Sequence, residues 1–125
     1  MTKIETTNAP GAIGPYSQGM KSGKLVFTSG QIPLDPVTGA IVGDTIEAQS
    51  EQALKNLQAV LEAGGAALGT VIKTTCFLSD MGNFAAFNAV YAKFFTGDCP
   101  ARSCVAVKTL PKGVMVEVEA VAEIE

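Results

Sequence analysis

The sequence predicts an α+β domain in which a mixed six-stranded sheet carries two helices on one face. Three observations lead there. Six short runs rich in Val, Ile, Thr and Phe have strand character, and two longer stretches repeat apolar residues at helical spacing. A single strand separates the two helical stretches, so both helices can cover the same face. At 125 residues, 47% hydrophobic and 17% charged, the chain has the size of one domain spanning residues 1–125. A domain of that length removes about two-thirds of its unfolded surface from water.

The elements follow in order. Lys3 to Thr7 reads as a short strand, and Asn8 to Pro15, with Gly11, Gly14 and two prolines, reads as loop. YSQGMKSGKLVFTSG gives two extended runs around Ser22-Gly23, a hairpin signal. QIPLDPVTGAIVG carries turn chemistry at Pro36 and Gly39 and predicts no regular element. Asp44 followed by Glu47 offers a capping arrangement for the first helix, whose stripe is Ile46, Ala53, Leu54, Leu57, Val60 and Leu61 and whose end is Gly64-Gly65. TVIKTTCFLS, β-branched and bounded by Gly69 and Asp80, is a strand. Phe84, Phe87, Tyr91, Phe94 and Phe95 then recur at three-and-four spacing, predicting a second helix that stops at Thr96-Gly97. Its aromatic stripe reads as core. RSCVAVKT and VMVEVEAVAEIE complete the sheet as two strands joined by LPKG, expected to pair antiparallel.

Composition excludes several functions. Net charge is −3, with nine Lys and Arg scattered along the chain, so no basic stripe awaits a phosphate backbone and no nucleic acid is expected as partner. The N-terminus MTKIETTNAP lacks an apolar signal segment, and no run approaches the roughly eighteen apolar residues of a membrane span. A cytoplasmic protein with no membrane partner is expected. Cys76, Cys99 and Cys104 are odd in number and form no CxxC pair, which argues against a disulfide framework and a zinc site. The chain contains no histidine, which removes Ser-His-Asp and Cys-His nucleophiles and HExxH metal sites. Proton transfer near neutral pH falls to carboxylates, Tyr, Lys, Cys or bound water.

Within VMVEVEAVAEIE, alternation puts Val116, Val118, Ala120, Ala122 and Ile124 on one face and Glu117 and Glu119 on the other. Pairing this strand with RSCVAVKT as a hairpin places Arg102 and Cys104 on the face of Glu117 and Glu119, away from the helices. That mixed face is expected to meet another subunit. On the pattern alone, Arg102 and Glu117 are equally well read as a cross-strand ion pair or as a ligand site.

PARSCVAVKTLPKGVMVEVEA resembles the C-terminal signature of the RidA (YjgF-type) family of enamine/imine deaminases. GPYSQG at Gly14 to Gly19, TSGQIP at Thr28 to Pro33 and FNAVYAKFF at Phe87 to Phe95 are similar to the family's other blocks, in the same order. The resemblance implies a chorismate-mutase-like fold, a homotrimer with active sites between subunits, and no metal or cofactor. It also implies a reaction: 2-aminoacrylate-type enamines, through their 2-imino acid tautomers 2-iminopropanoate and 2-iminobutanoate, are hydrolysed to 2-keto acids and ammonia. By position, Arg102 matches the arginine that grips the substrate carboxylate and Glu117 the glutamate that places the attacking water. Tyr16, Ser29, Gly30, Asn88 and Cys104 match ligand-lining positions.

The chemistry suits these residue types. A 2-imino acid presents a carboxylate, which a planar, permanently charged arginine can hold with two parallel donors. Its C=N carbon needs a placed water, and a carboxylate can take and return the proton. Tyr16 after Gly14-Pro15 reads either as a hydroxyl donor or as a Tyr half-buried at a subunit seam. Ser29-Gly30 reads as a close-approach site or as a plain turn. Cys104 has no activating base and is expected to line the site rather than attack. Asn88 is promoted only by the resemblance, and Glu119 reads as a supporting residue. Three other readings stay open: a non-catalytic binder of 2-keto or amino acids, an RNA-cleaving translation inhibitor, and a stress-activated holdase.

Overall fold

The computed structural model describes residues 1–125. Its strands are β1 (Thr2–Ile4), β2 (Gly19–Ser22), β3 (Leu25–Thr28), β4 (Val71–Leu78), β5 (Ala101–Ala106) and β6 (Val116–Glu123), and its helices are α1 (Ile46–Ala63) and α2 (Phe84–Phe94). They form one mixed six-stranded sheet in the order β1-β2-β3-β6-β4-β5, with both helices on one face, as the sequence predicts.

β2 and β3 form the expected hairpin, with Ser22 opposite Leu25. Gly23 opens the two-residue loop at φ 59°, which a type II′ turn requires and which glycine adopts without strain. α1 begins one residue later than Asp44 suggests. Thr45 is the cap, and its hydroxyl accepts from the Ala48 N–H at 3.2 Å, satisfying one of the orphan donors of the first turn. The stripe Ala53, Leu54, Leu57, Val60 and Leu61 is completely buried, and from the sheet Val26, Cys76, Leu78, Val116, Val118 and Ala122 meet it with no exposure. α2 adds Phe87, Val90 and Tyr91 to the same core.

The last two strands correct the sequence reading, because they do not pair. β5 lies parallel to β4 at the sheet edge, and β6 is inserted antiparallel between β3 and β4. β4, α2 and β5 form a strand–helix–strand crossover, the connection that delivers a parallel neighbour. β6 has one fully apolar face and takes a central position.

This changes which side chains share a face. Thr74 pairs with both Arg102 and Ala120, whereas Phe77 pairs with both Val105 and Glu117. Paired residues point the same way, so Arg102, Cys104 and Ala106 join Val116, Val118 and Ala120 on the helix side. Glu117, Glu119, Ser103 and Val105 lie on the other. The alternation within each strand is as predicted, but the phase between them is off by one residue, and one residue moves every side chain across the sheet.

The helix-free face is covered only at one end. There Ile32, Leu34, Leu110 and Val114 form a small second core with Phe77 and Val107. Buried Asn56 on α1 fixes the segment that carries Ile32, donating to the carbonyls of Ile32 at 3.0 Å and Leu34 at 2.9 Å. Elsewhere the face is open, and Phe27 and Val105 remain 43% and 46% exposed.

Candidate active site

Four of the predicted residues come together on the open face. Tyr16, Ser29, Gly30 and Glu117 line one cleft of about 410 Å³, with Glu119, Ile13, Ile32 and Pro111 completing its walls. Pro15 sits within a tight turn closed by the Tyr16 N–H on the Gly14 carbonyl at 2.8 Å. The Tyr16 hydroxyl accepts from the Ile13 N–H at 3.3 Å, which leaves its own O–H free to donate. Ser29 is tied differently: its N–H donates to the Gln18 carbonyl and its hydroxyl to the Ser17 carbonyl at 2.5 Å. Its proton is therefore engaged in holding the strand end, and a ligand would meet only its lone pairs.

Gly30 is required by Glu117. A Cβ built on Gly30 would fall within the Glu117 carboxyl group, 2.7 Å from Cδ. The segment is pinned at that distance by reciprocal backbone bonds between Gln31 and Val118, of 2.8 and 3.1 Å. Glu117 thus rests its carboxylate on bare backbone at the cleft wall. Partial burial raises its pKa above the ordinary glutamate value, and the neighbouring charge of Glu119 raises it further. Both causes disfavour the charged form, giving a carboxyl better suited to accept and return a proton than an exposed one.

A larger cleft of about 750 Å³ lies beyond Tyr16, lined by Lys3 to Thr7, Gly11, Ala12, Ser17 and Gln18. Its two charged side chains, Lys3 and Glu5, pair with each other at 3.8 Å, so it presents no unpaired charge. The smaller cleft, not this one, brings together Ser29, Gly30 and Glu117 with Tyr16.

The remaining predicted residues form a second group, across the sheet. Arg102 is half-buried, and its Nη1 donates to Asn88 Oδ1 at 2.8 Å. Its guanidinium carbon lies 4.9 Å from the Tyr91 ring centroid and 5.6 Å from that of Phe84. Phe84, Asn88 and Tyr91 are spaced i, i+4, i+7, one face of α2, so the helix presents a cradle to the edge strand. No carboxylate pairs with Arg102 within the chain; the structure's one ion pair is Lys3–Glu5. Cys104 lies beside the cradle in register with Cys76. Burial raises its pKa, with Arg102 pulling it back, so it stays a thiol and fits a lining role better than a nucleophile's.

Sequence reasoning missed two parts of this arrangement. The aromatic stripe reads from sequence as core alone, whereas Phe84 and Tyr91, spaced about Asn88, form a face that holds the Arg102 cation. Ile13, Ile32 and Pro111 went unassigned, because each reaches the cleft from a loop whose course no periodicity reports.

The fold is that of a small α+β domain with two groups of polar side chains on opposite faces of one sheet, an arginine without a carboxylate partner on one and a carboxyl of raised pKa on the other. The chain belongs to the RidA (YjgF-type) family: the family model described as Endoribonuclease L-PSP matches residues 6–124. It is 52% identical over 122 residues to the 2-iminobutanoate/2-iminopropanoate deaminase of Salmonella typhimurium, covering 95% of this chain and 94% of that one. Among solved structures, the YjgF gene product of E. coli superposes with a TM-score of 0.95 at 47% identity, covering all of both chains. E. coli TdcF with bound serine gives the same TM-score, identity and coverage.

Proposed function

We propose that this protein is an imine deaminase that hydrolyses 2-imino acids, among them 2-iminopropanoate and 2-iminobutanoate, to 2-keto acids and ammonia. The observation that carries the reading is the pair of unsatisfied groups: Arg102 without a carboxylate, and Glu117 in a cleft without a cation. The name of the Salmonella relative and the serine bound to TdcF, itself a small amino acid with a carboxylate, support the substrate class.

The two half-sites lie across a sheet in one chain, so one substrate reaches both only where two copies meet. The uncovered face, with exposed Phe27 and Val105, supplies the apolar surface for such an assembly. In this reading a homotrimer forms three intersubunit sites, each with Arg102, Asn88 and Cys104 from one copy and Tyr16, Ser29, Gly30 and Glu117 from the next.

Arg102, turned toward the site by Asn88, holds the substrate carboxylate through its remaining N–H donors. The substrate reacts as its protonated iminium: Glu117 accepts a proton from water as the oxygen bonds to the C=N carbon, and the C=N electron pair moves onto nitrogen to give a neutral carbinolamine. Glu117 then passes that proton to the nitrogen, the C–N bond breaks to release ammonia, and the hydroxyl proton returns to Glu117 as its O–H pair forms the keto C=O, after which Glu117 sheds the proton to solvent. Tyr16 donates its free O–H to the reacting oxygen. Proton transfer of this kind contributes about 10² to 10⁴-fold.

The family model's description raises RNA cleavage as a second reading. Charge opposes it: the chain carries a net −3 with its nine Lys and Arg scattered, so beyond the one arginine of the site no basic track follows a phosphate backbone.

The test is keto-acid release from enzymatically generated 2-aminoacrylate. Wild type should accelerate release, and Arg102→Ala and Glu117→Gln should each lose it. Co-refolding the two variants in equal amounts should restore about a quarter of wild-type activity, since in a head-to-tail ring that fraction of interfaces receives both intact half-sites. A wild type no faster than buffer would refute the function, and an active wild type without recovery in the mixture would refute the shared site.

A further inference from the structure

We propose that Tyr91, with its hydroxyl tied to Thr74, is a positioning residue for Arg102: its ring sets the plane of the guanidinium and so the direction in which the free donors meet a carboxylate. The inference rests on reading Arg102 as the substrate's carboxylate anchor.

The geometry forms a closed frame. Thr74, completely buried on β4, is the register partner of Arg102 on β5, so it fixes where the arginine leaves the sheet. The same threonine's hydroxyl lies 2.8 Å from the Tyr91 hydroxyl. Tyr91 is only 6% exposed and stacks on Phe95 at 4.5 Å, with Phe87 tilted against it at 5.7 Å. Its ring therefore has little freedom to turn. The guanidinium of Arg102 lies over that ring, and Asn88 holds it at one corner.

Phenylalanine would fill the same volume without a buried hydroxyl to satisfy, and packing alone gives no reason for the oxygen. What the hydroxyl adds is a second fixed point on the ring, from the residue that also sets the arginine's origin. A flexible side chain tipped by several contacts in this way retains one orientation, and a two-pronged donor loses its advantage if its plane wanders.

Two imines should be compared, the 2-imino acid and its neutral carboxamide analogue, together with inhibition by 2-oxobutanoate. Replacing the ring in Tyr91→Leu should weaken 2-oxobutanoate binding about tenfold, a loss in the range of a desolvated cation–π contact. Tyr91→Phe and Thr74→Val each remove the same link and should cost about threefold, with the double variant no worse than either single. KM for the imino acid should rise more than kcat falls, and kcat/KM for the carboxamide should hold within about twofold. A parallel loss on both substrates would mean a general packing role and overturn the proposal, as would unchanged 2-oxobutanoate inhibition. If Tyr91→Leu does not fold, the Tyr91→Phe and Thr74→Val cycle decides the question alone. Arg102→Ala separates the two levels. If it leaves 2-oxobutanoate binding intact, the anchor reading itself fails; if it abolishes binding while the Tyr91 and Thr74 variants do not, only the positioning role falls.

Discussion

Substituting Gly30 by alanine should disable the site while sparing the fold. The new Cβ would sit 2.7 Å from Glu117 Cδ and 3.0 Å from its Cγ, where ordinary contact begins at 3.4 Å. Glu117 Oε2 is closer still, so the carboxyl must move by more than an ångström. Gly30 has no positive φ, so alanine brings no backbone strain. The obstructing atoms are the mobile end of one side chain, and turning it off its rotamer costs about 0.5–1.5 kcal/mol. Restricting the unfolded chain returns about 0.4–1 kcal/mol. The net change in stability is then at most about 1 kcal/mol, or about 4 °C in melting temperature for a chain of this size. Catalysis is far less tolerant, since displacement of a working group by about 1 Å costs about 100-fold. Keto-acid release should therefore fall about 100-fold in Gly30→Ala, with a melting curve near that of wild type. Combining it with Glu117→Gln should add little, because both remove the same carboxylate. Retention of more than about a third of wild-type turnover in a folded Gly30→Ala would refute this account of Glu117.

Glu117 also predicts a pH dependence. It works as a base when ionised, and burial followed by Glu119 raises its pKa, so kcat/KM should climb with pH through a value above the ordinary carboxylate range. Glu119→Gln removes the second cause and should shift that limb to lower pH; a limb that stays in place or moves up would exclude the coupling. Asn56→Ala deletes two buried donations to the Ile32 and Leu34 carbonyls. It should destabilise the protein by about 2–4 kcal/mol in urea titrations, whereas a loss below about 0.5 kcal/mol would show that the loop does not depend on it.

Much of the fold was legible because its signals are local. The stripe of α1, the β2–β3 turn and the inward face of β6 each follow from period and turn chemistry within one segment. Loop courses were not legible. Gln18 collects the carbonyls of Thr6, Ala9 and Pro10 and the Thr6 N–H through its side-chain amide, and this holds the N-terminal loop beside the Tyr16 cleft. Such long-range polar ties leave no periodic trace. For the site, the residue identities came from the resemblance, while Ser29's engaged hydroxyl and Tyr91's contact with Arg102 emerged only from the packing.

The misread strand order is the instructive failure, because the sequence contained a rule that opposed it. A strand, a helix and a strand in succession favour parallel neighbours, which places β5 beside β4. The burial demand of β6, apolar at every second position for eight residues, favours the sheet interior over an edge. Adjacency in sequence and the short LPKG link suggested a hairpin instead. Had that hairpin formed through LPKG, Arg102 would stand opposite Val121 with Glu119 as its diagonal neighbour and Glu117 further along the same face, so a carboxylate would lie within reach of its long side chain. The order β3-β6-β4-β5 keeps Arg102 and Glu117 on opposite sides of the sheet. Each then bears its own cost: the cation is held by aromatic faces and one amide, and the carboxyl has a raised pKa. Groups kept unpaired at such cost are suited to meeting a partner from outside their own chain, so the corrected topology supports a shared site better than the predicted one.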